Sequence, residues 1–287
     1  MQTIKTKKEL RALITSYKRQ GKVIGLVTTM GYLHSGHASL MQLARAECDI
    51  VVVSIFVNPL QFGPNDDLAK YPRDIEGDTA LCEKNKVDIL YLPEAVDILG
   101  AELQPLTYVN ITKLDLNLCG ASRPGHFKGV CTILCKLFNL VAPDKVYYGK
   151  KDIQQLRIVE RMVSDLDFPI QVIGGDTYRN DDDLALSSRN SYLSPEERKM
   201  AVIVPKTLEL IKSLADSGVT NVAELIKQAK LFIEQANIPQ TKLDYIEIVD
   251  DMLLQKVTEI KQPVIVAIAL YIGKTRLIDN IIILKRT

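Results

Sequence analysis

The sequence predicts an α/β protein: a doubly wound parallel sheet followed by a smaller α+β unit. Over residues 1–175, short β-rich apolar runs alternate with segments of helical spacing, the pattern of a parallel sheet covered on both faces. After "DFPIQVIGGDTYR" the order changes to helices followed by strands, which marks an α+β arrangement. A length of 287 residues suits about two domains. The expected organisation is a Rossmann-like domain over 1–176 and a smaller C-terminal α+β lid domain over 177–287.

Taken in order, "MQTIKTKKELRALITSYKRQGK" reads as an amphipathic helix. "KVIGLV" (22–27), "IVVVSIF" (50–56), "DILYLP" (88–93) and "KVYYG" (145–149) read as strands. Between them, "HASLMQLARAEC", "DIEGDTALCEKNK" and "VCTILCKLFNLV" have helical spacing. In the second half, "SPEERKMAVIVPKTLELIKSLADSG" opens with a Ser194 cap, Pro195 in the first helical position, and Glu196 and Glu197 in the first turn. A helix, "NVAELIKQAKLFIEQA", follows, and then the strand-like segments "LDYIEIVD", "PVIVAIALYIG" and "TRLIDNIIIL".

Composition narrows the function. Thirty-six basic and 35 acidic residues leave a net charge of +1, so there is no electrostatic reason to expect nucleic-acid or membrane-surface binding. No stretch approaches the ~20 apolar residues of a membrane span, and the N-terminus has no signal-peptide core. The five cysteines, Cys48, Cys82, Cys119, Cys131 and Cys135, form no C-x-x-C pair, and Cys131 and Cys135 read as core. A reducing, cytoplasmic location is expected.

Two nucleotide motifs are excluded. "YIGKTR" contains G-K-T, but the glycine that a P-loop needs five positions earlier is Ile268, and no G-x-G-x-x-G follows a strand. The informative stretch is "TTMGYLHSGHASL", which holds two of the three histidines, His34 and His37, just after a strand. A helix beginning near residues 35–37 turns its free N–H groups toward the strand end, and histidines three apart point to one place beside it. Gly31 would permit the turn and Gly36 a close approach to the backbone. Other polar clusters fall near strand ends: Asn58 and Gln61 in "SIFVNPLQF", Arg123, His126 and Lys128 in "SRPGHFKGV", and Lys150, Lys151, Asp152, Gln154 and Gln155 in "YYGKKDIQQLR". "LALSSRNSYL" adds Ser187, Ser188, Arg189 and Asn190. No Ser–His–Asp or Cys–His constellation is evident.

These segments resemble the pantoate–β-alanine ligases (pantothenate synthetases) of the wider nucleotidyltransferase superfamily. The likeness is carried by "TMGYLHSGHASL", "VVVSIFVNPLQFGPNDDLAKYPRD", "RPGHFKGV", "YYGKKDIQQL", "LALSSRN" and "RLIDN", in the family's order from residue 29 to residue 280. H-x-G-H alone is shared by many nucleotidyltransferases, whereas "SIFVNPLQF" together with "GKKDIQQ" is far more specific. The resemblance implies a two-step reaction with Mg-ATP. Pantoate's carboxylate attacks the α-phosphorus to give pantoyl adenylate and pyrophosphate, and the amine of β-alanine then displaces AMP. Such chemistry needs no enzyme nucleophile, so positioning and charge stabilisation supply most of the catalysis.

By the same resemblance, Met30, His34 and His37 line the ATP phosphates and ribose, with the histidines stabilising charge at the α-phosphoryl group. Lys151 would neutralise phosphate charge, Gly149 and Asp152 would recognise the ribose or its surroundings, and Ser187, Ser188 and Arg189 would hold the triphosphate tail. Gln61 and Gln155 would bind pantoate's hydroxyl and carboxylate groups. Asn58, Arg123 and His126 resemble further site residues, Tyr71 one near the entrance. The family also implies a homodimer. Against its pattern, Thr28 replaces a proline, Lys150 a glutamate, and Asn180, Asp183 and Leu186 replace glutamate, glycine and methionine. Sequence spacing does not fix the Mg²⁺ ligands, since several acids between Asp74 and Asp78 are available.

Two other classes compete. One is a different nucleotidyltransferase making an adenylated or cytidylated product, and the Gln61/Gln155 pair favours a small hydroxy acid over a phosphate ester, which would recruit arginine. The other is an RNA-binding or regulatory relative of the aminoacyl-tRNA synthetases, against which the near-neutral charge weighs.

Overall fold

The computed structural model describes residues 1–64 and 66–284. In chain order its strands and helices are β1 (Gln2–Ile4), α1 (Lys7–Arg19), β2 (Ile24–Thr29), α2 (Ser35–Glu47), β3 (Ile50–Ile55), α3 (Ile75–Lys84), β4 (Ile89–Tyr91), α4 (Ala95–Leu99), α5 (Leu118–Ser122), α6 (His126–Val141), β5 (Lys145–Gly149), α7 (Ile153–Asp165) and β6 (Gln171–Gly175). There follow α8 (Pro195–Met200), α9 (Ile203–Asp216), α10 (Val222–Gln235), β7 (Thr241–Asp250), β8 (Val264–Ile272) and β9 (Thr275–Ile283). Compactness separates two units. One comprises Met1–Ile111, Arg123–Lys150 and Gln155–Asp176; the other comprises Thr112–Ser122, Lys151–Gln154 and Thr177–Thr287.

The first unit is built on a six-stranded sheet of order β1-β4-β3-β2-β5-β6, with every neighbouring pair parallel. From β2 the chain winds outward through β3 and β4, then returns to the other side of β2 as β5 and β6. This is the doubly wound, Rossmann-like arrangement. The order reverses between β2 and β5, and in such sheets the crevice outside the carboxyl ends at that point is where ligands bind. All six residues of β3 are buried, as a strand covered on both faces requires. Leu40, Met41 and Ala44 of α2 close one side against Val51, Val53 and Tyr147. On α6, Cys131 is buried and Cys135 partly so, in a helix whose apolar residues are largely enclosed.

The N-terminal segment differs from the sequence reading. Gln2–Ile4 is a strand, pairing in parallel with Ile89–Tyr91, and the helix begins only at Lys7. Thr6 sets the start, since its hydroxyl accepts the Glu9 N–H at 3.2 Å. A three-residue strand has no periodicity of its own; the unfilled edge of β4 makes it one.

In the second unit an antiparallel sheet, β7-β8-β9, is packed by helices. Val264, Val266, Ile268 and Leu270 alternate along β8 into a core shared with Leu208 and Ile211 of α9 and Leu225 and Ala229 of α10. The single helix expected after Ser194 is two, α8 and α9, broken at Ala201 and Val202. Ser194 and Glu197 form the expected cap reciprocally, the serine hydroxyl accepting Glu197 N–H at 3.1 Å and the carboxylate accepting Ser194 N–H at 2.8 Å. Among the described residues, no helix is long and apolar enough to cross a membrane.

Candidate active site

The turn after β2 is the best-defined part of the site. Gly31 has φ of 86° and Tyr32 of 53°, so the chain leaves the strand through two left-handed residues. A side chain at Gly31 would press on Ile55 and Asp78, so only glycine fits there. Helix α2 starts at Ser35 with His34 as its N-cap: Nδ1 of His34 accepts the Gly36 N–H at 3.1 Å, and Nδ1 of His37 accepts the His34 N–H at 3.2 Å. The two imidazoles are mutual parts of a capping box, with ring centroids 4.1 Å apart. A neutral imidazole that accepts at Nδ1 carries its proton at Nε2. Both rings therefore hold an N–H donor at the end away from the backbone, beside a helix N-terminus that itself favours anions.

Asp78, a residue the sequence reading had only among possible metal ligands, fixes this turn. Its carboxylate is 2% exposed and accepts the N–H of Tyr32 at 2.9 Å and of Leu33 at 2.6 Å. Burial pushes its pKa up, against the lowering effect of those two backbone N–H groups. The signal for it lies 46 residues from Tyr32, in a helix whose only visible sequence feature was its spacing.

A second assembly surrounds Gln61. The side chain of Asn58, 1% exposed, gives one amide hydrogen to Gln61 Oε1 at 3.0 Å and another to the carbonyl of Gly129 at 3.1 Å. With its carbonyl oxygen so engaged, Gln61 turns its amide nitrogen to within 3.1 Å of Met30 Sδ. Nδ1 of His126 lies 2.8 Å from the Gln61 carbonyl, and Arg123 reaches the same oxygen at 3.4 Å. Arg123 also pairs with Asp66 at 2.7 Å and contacts Nε2 of His126 at 3.3 Å. Burial alone would raise the Asp66 pKa, but the Arg123 guanidinium and the Gly63 N–H hold it below the usual carboxylate value. Gly129 faces this turn from α6, where a side chain would collide with the backbone of Leu60 and Gln61. The sequence-expected residues Met30, Asn58, Gln61, Arg123 and His126 are thus one connected group. Tyr71 is 6% exposed, its ring edge-on to Phe62 at 6.1 Å.

At β5 the register Gly25↔Lys145 to Val27↔Tyr147 carries Gly149 alongside the end of β2, and Thr28 Oγ1 donates to Tyr148 OH at 3.3 Å. Thr28 belongs to the ladder opposite Ser54, which accounts for a strand residue where the family has proline. Lys150, which stands where the family has glutamate, pairs with Asp176 at 2.6 Å. Gln155 is half-buried, and among the described residues its side-chain amide has no partner. In the second unit, Lys151 is 3.6 Å from Asp152, and its backbone carbonyl accepts from Asn280 at 2.8 Å, which gives the "RLIDN" segment a structural role. Gln154 is buried and bonds the carbonyls of Leu114 and Asn117 at 2.8 and 2.9 Å, so the two adjacent glutamines are opposite in kind. Ser187 caps the short turn Ser188–Tyr192, its hydroxyl accepting Arg189 N–H at 3.3 Å. Asp183, where the family has glycine, has φ of 63°, a conformation that Asp tolerates better than most residues.

Fold and site together define an α/β protein of the Rossmann-like class, with histidine donors at the strand end where the sheet order reverses. The chain belongs to the pantoate–β-alanine ligase family, whose profile matches residues 2–282. It is 48% identical over 281 residues to the pantothenate synthetase of a Sulfurihydrogenibium species, covering 98% of this chain and 99% of that one. The crystal structure of pantothenate synthetase from Thermus thermophilus superposes with a TM-score of 0.91 at 41% identity, covering 98% of this chain and 99% of that one. The Francisella tularensis pantoate–β-alanine ligase, solved in complex with beta-gamma ATP and β-alanine, gives a TM-score of 0.79 at 34% identity and covers 98% of this chain and 97% of that one.

Proposed function

We propose that this protein joins pantoate to β-alanine at the expense of ATP, through a pantoyl-adenylate intermediate. The observation that carries the reading is the pair of imidazoles locked at the N-terminus of α2, each with Nδ1 committed to a backbone N–H. Their Nε2–H groups are preorganised donors for charge developing on the α-phosphoryl oxygens, and donors fixed in advance need no reorganisation during the reaction. A carboxylate oxygen of pantoate forms the new O–P bond, and the bond to pyrophosphate breaks with its electron pair leaving on that group. The amine nitrogen then bonds to the acyl carbon, the acyl–oxygen bond breaks, AMP departs with the electron pair, and the surplus proton on nitrogen passes to solvent.

In this reading Gln61 and Gln155 bind pantoate, Asn58 holds Gln61 in place, and Arg123 and His126 brace its backbone. Met30 and Gly149 border the nucleotide. Lys151, Ser187, Ser188 and Arg189 supply phosphate contacts, with Asp152 at the ribose. Mg²⁺ would arrive on the triphosphate and neutralise its charge. Among the described residues no group of three or more His, Cys, Asp or Glu side chains is gathered to hold a metal. Mg²⁺ of this kind is ligated mainly by phosphate and water, with one or two carboxylates. A homodimer in the cytoplasm is the accompanying expectation from the family.

The test is exchange of labelled pyrophosphate into ATP. It should require pantoate and proceed without β-alanine, because the amine acts only after pyrophosphate has left. Exchange seen only with β-alanine present would replace the two-step scheme by a concerted one. No exchange, with no pantothenate formed, would refute the ligase reading.

A further inference from the structure

Residues 1–22 hold seven basic residues and one acidic residue, a net charge of +6, while the remainder of the chain carries −5. Part of that charge is neutralised locally: Lys18 pairs with Asp144 at 2.8 Å, and Lys22 lies 3.7 Å from Asp49. Lys7, Lys8, Arg11 and Arg19 make no ion pair among the described residues. These four cations, with Thr15, line an open cavity of about 710 Å³ along α1, which buries Leu10 and Ile14 on another face. Asp97 of α4 is also in the lining, but its carboxylate accepts the backbone N–H of Lys7 at 2.8 Å and pairs with none of the four.

The placement runs against the helix's own preferences. Lys7 and Lys8 stand in the first turn, where the dipole favours anions, and Lys7 and Arg11 are like charges four apart. Both choices weaken an isolated helix, and local conflicts of this sort concentrate at functional sites. We propose that this cavity binds a small polyphosphate anion, held by Lys7, Lys8, Arg11 and Arg19. None of these residues belongs to the site described above, and the inference does not depend on the ligase reading. Lys8 and Arg11 are neighbours one turn apart, and at 1.5 Å per residue Arg19 stands about 12 Å beyond Arg11. Cations at both ends of such a row suit an extended anion of linked phosphates better than a single phosphate. Arginine grips phosphate oxygens in pairs, and lysine adds a point charge. The cavity has the size of a small-molecule site, about 300–1,000 Å³. Among the described residues of the lining Ala12 alone is apolar, so this face has little to insert into a lipid surface.

The experiment titrates the full-length protein with inorganic tripolyphosphate by calorimetry, comparing the parent with Lys8→Ala/Arg11→Ala. Any tripolyphosphate held at the strand ends is common to both proteins. The parent should bind one further equivalent, which in the variant is roughly 10- to 100-fold weaker. Added NaCl should weaken that equivalent, since the charges are exposed. Lys8→Glu should also lose it while melting no lower than the parent, because an acid in the first turn favours the helix. ATP binding this equivalent more tightly than tripolyphosphate would identify a nucleotide as the ligand, and equal affinity a bare polyphosphate chain. The same stoichiometry and affinity in parent and double variant would overturn the site. So would orthophosphate binding as tightly as tripolyphosphate. Parent protein that binds anionic lipid vesicles but no extra tripolyphosphate would replace the small ligand by a membrane surface.

Discussion

Replacing Gly129 by alanine tests how tightly the Gln61 turn is built. A Cβ at this position would lie 2.6 Å from the Gln61 nitrogen and closer still to the Leu60 carbonyl, all of it backbone. No flexible side-chain end is available to move aside, so α6 or the 59–61 turn must shift. Overpacking of a fitted core costs about 1–3 kcal/mol, and a clash with main chain belongs at the upper end. Alanine regains about 1 kcal/mol over glycine inside a helix. The net loss is about 2 kcal/mol, or a Tm lower by roughly 4–8 °C for a unit of this size. The Asn58 amide, which bonds both Gly129 and Gln61, would be displaced with the turn, so KM for pantoate should rise more than KM for ATP. Thermal unfolding and initial-rate kinetics measure both effects. A Tm at or above that of the parent, with pantoate KM unchanged, would show that the turn is not pinned by α6.

Three further outcomes are expected. His37→Ala should slow single-turnover adenylate formation by ~10²–10³-fold through loss of one donor, and adenylation at the parental rate would remove the histidine from the mechanism. At Asp183, held at φ of 63°, alanine should cost about 1 kcal/mol while glycine leaves Tm unchanged or raises it, as read by thermal melts. The depressed pKa of Asp66 means that its pairing with Arg123 stabilises the fold fully above the unfolded value of ~3.9 and is lost as pH falls through the lower folded value. Asp66→Asn should therefore flatten the acid limb of the stability–pH curve, and a curve that stays as steep would refute the assignment.

What the sequence discloses follows from the distance between interacting residues. The parallel sheet is legible because β2 and β3 are rich in β-branched residues, and "KVYYG", with one valine and two tyrosines, forms β5 over its full span. His34 and His37 are legible because a helical turn separates them, so one local pattern contains both the cap and the donors. β1 is not, since Gln2–Ile4 acquires its conformation from β4, far along the chain. Nor is the orientation of the Gln61 amide, which is bonded by an Asn58 side chain that also holds the Gly129 carbonyl, and which lies against Met30 from another segment. Lys150 in "GKKD" shows a different limit: its side chain pairs with Asp176, 26 residues further on, a partner that no local pattern reveals. Motif reasoning assigns residue types to a site, and only tertiary pairing decides which of them are already satisfied.

That distinction explains why one acidic residue of α3, Asp78, matters to the turn that carries the two histidines. The turn through Gly31 and Tyr32 runs left-handed at two successive positions, which an L-residue such as tyrosine enters at a cost of about 1–2 kcal/mol. Asp78 offsets that cost with two charge-assisted bonds to the turn's own N–H groups, 2.9 and 2.6 Å long, made away from bulk water. The turn in turn delivers His34 to the N-cap, and the N-cap fixes the tautomer of both imidazoles. A catalyst without a nucleophile depends on where its donors stand before the substrate arrives. In this chain that placement runs from a buried carboxylate on α3, through two backbone N–H groups, to the Nε2 hydrogens of the histidines.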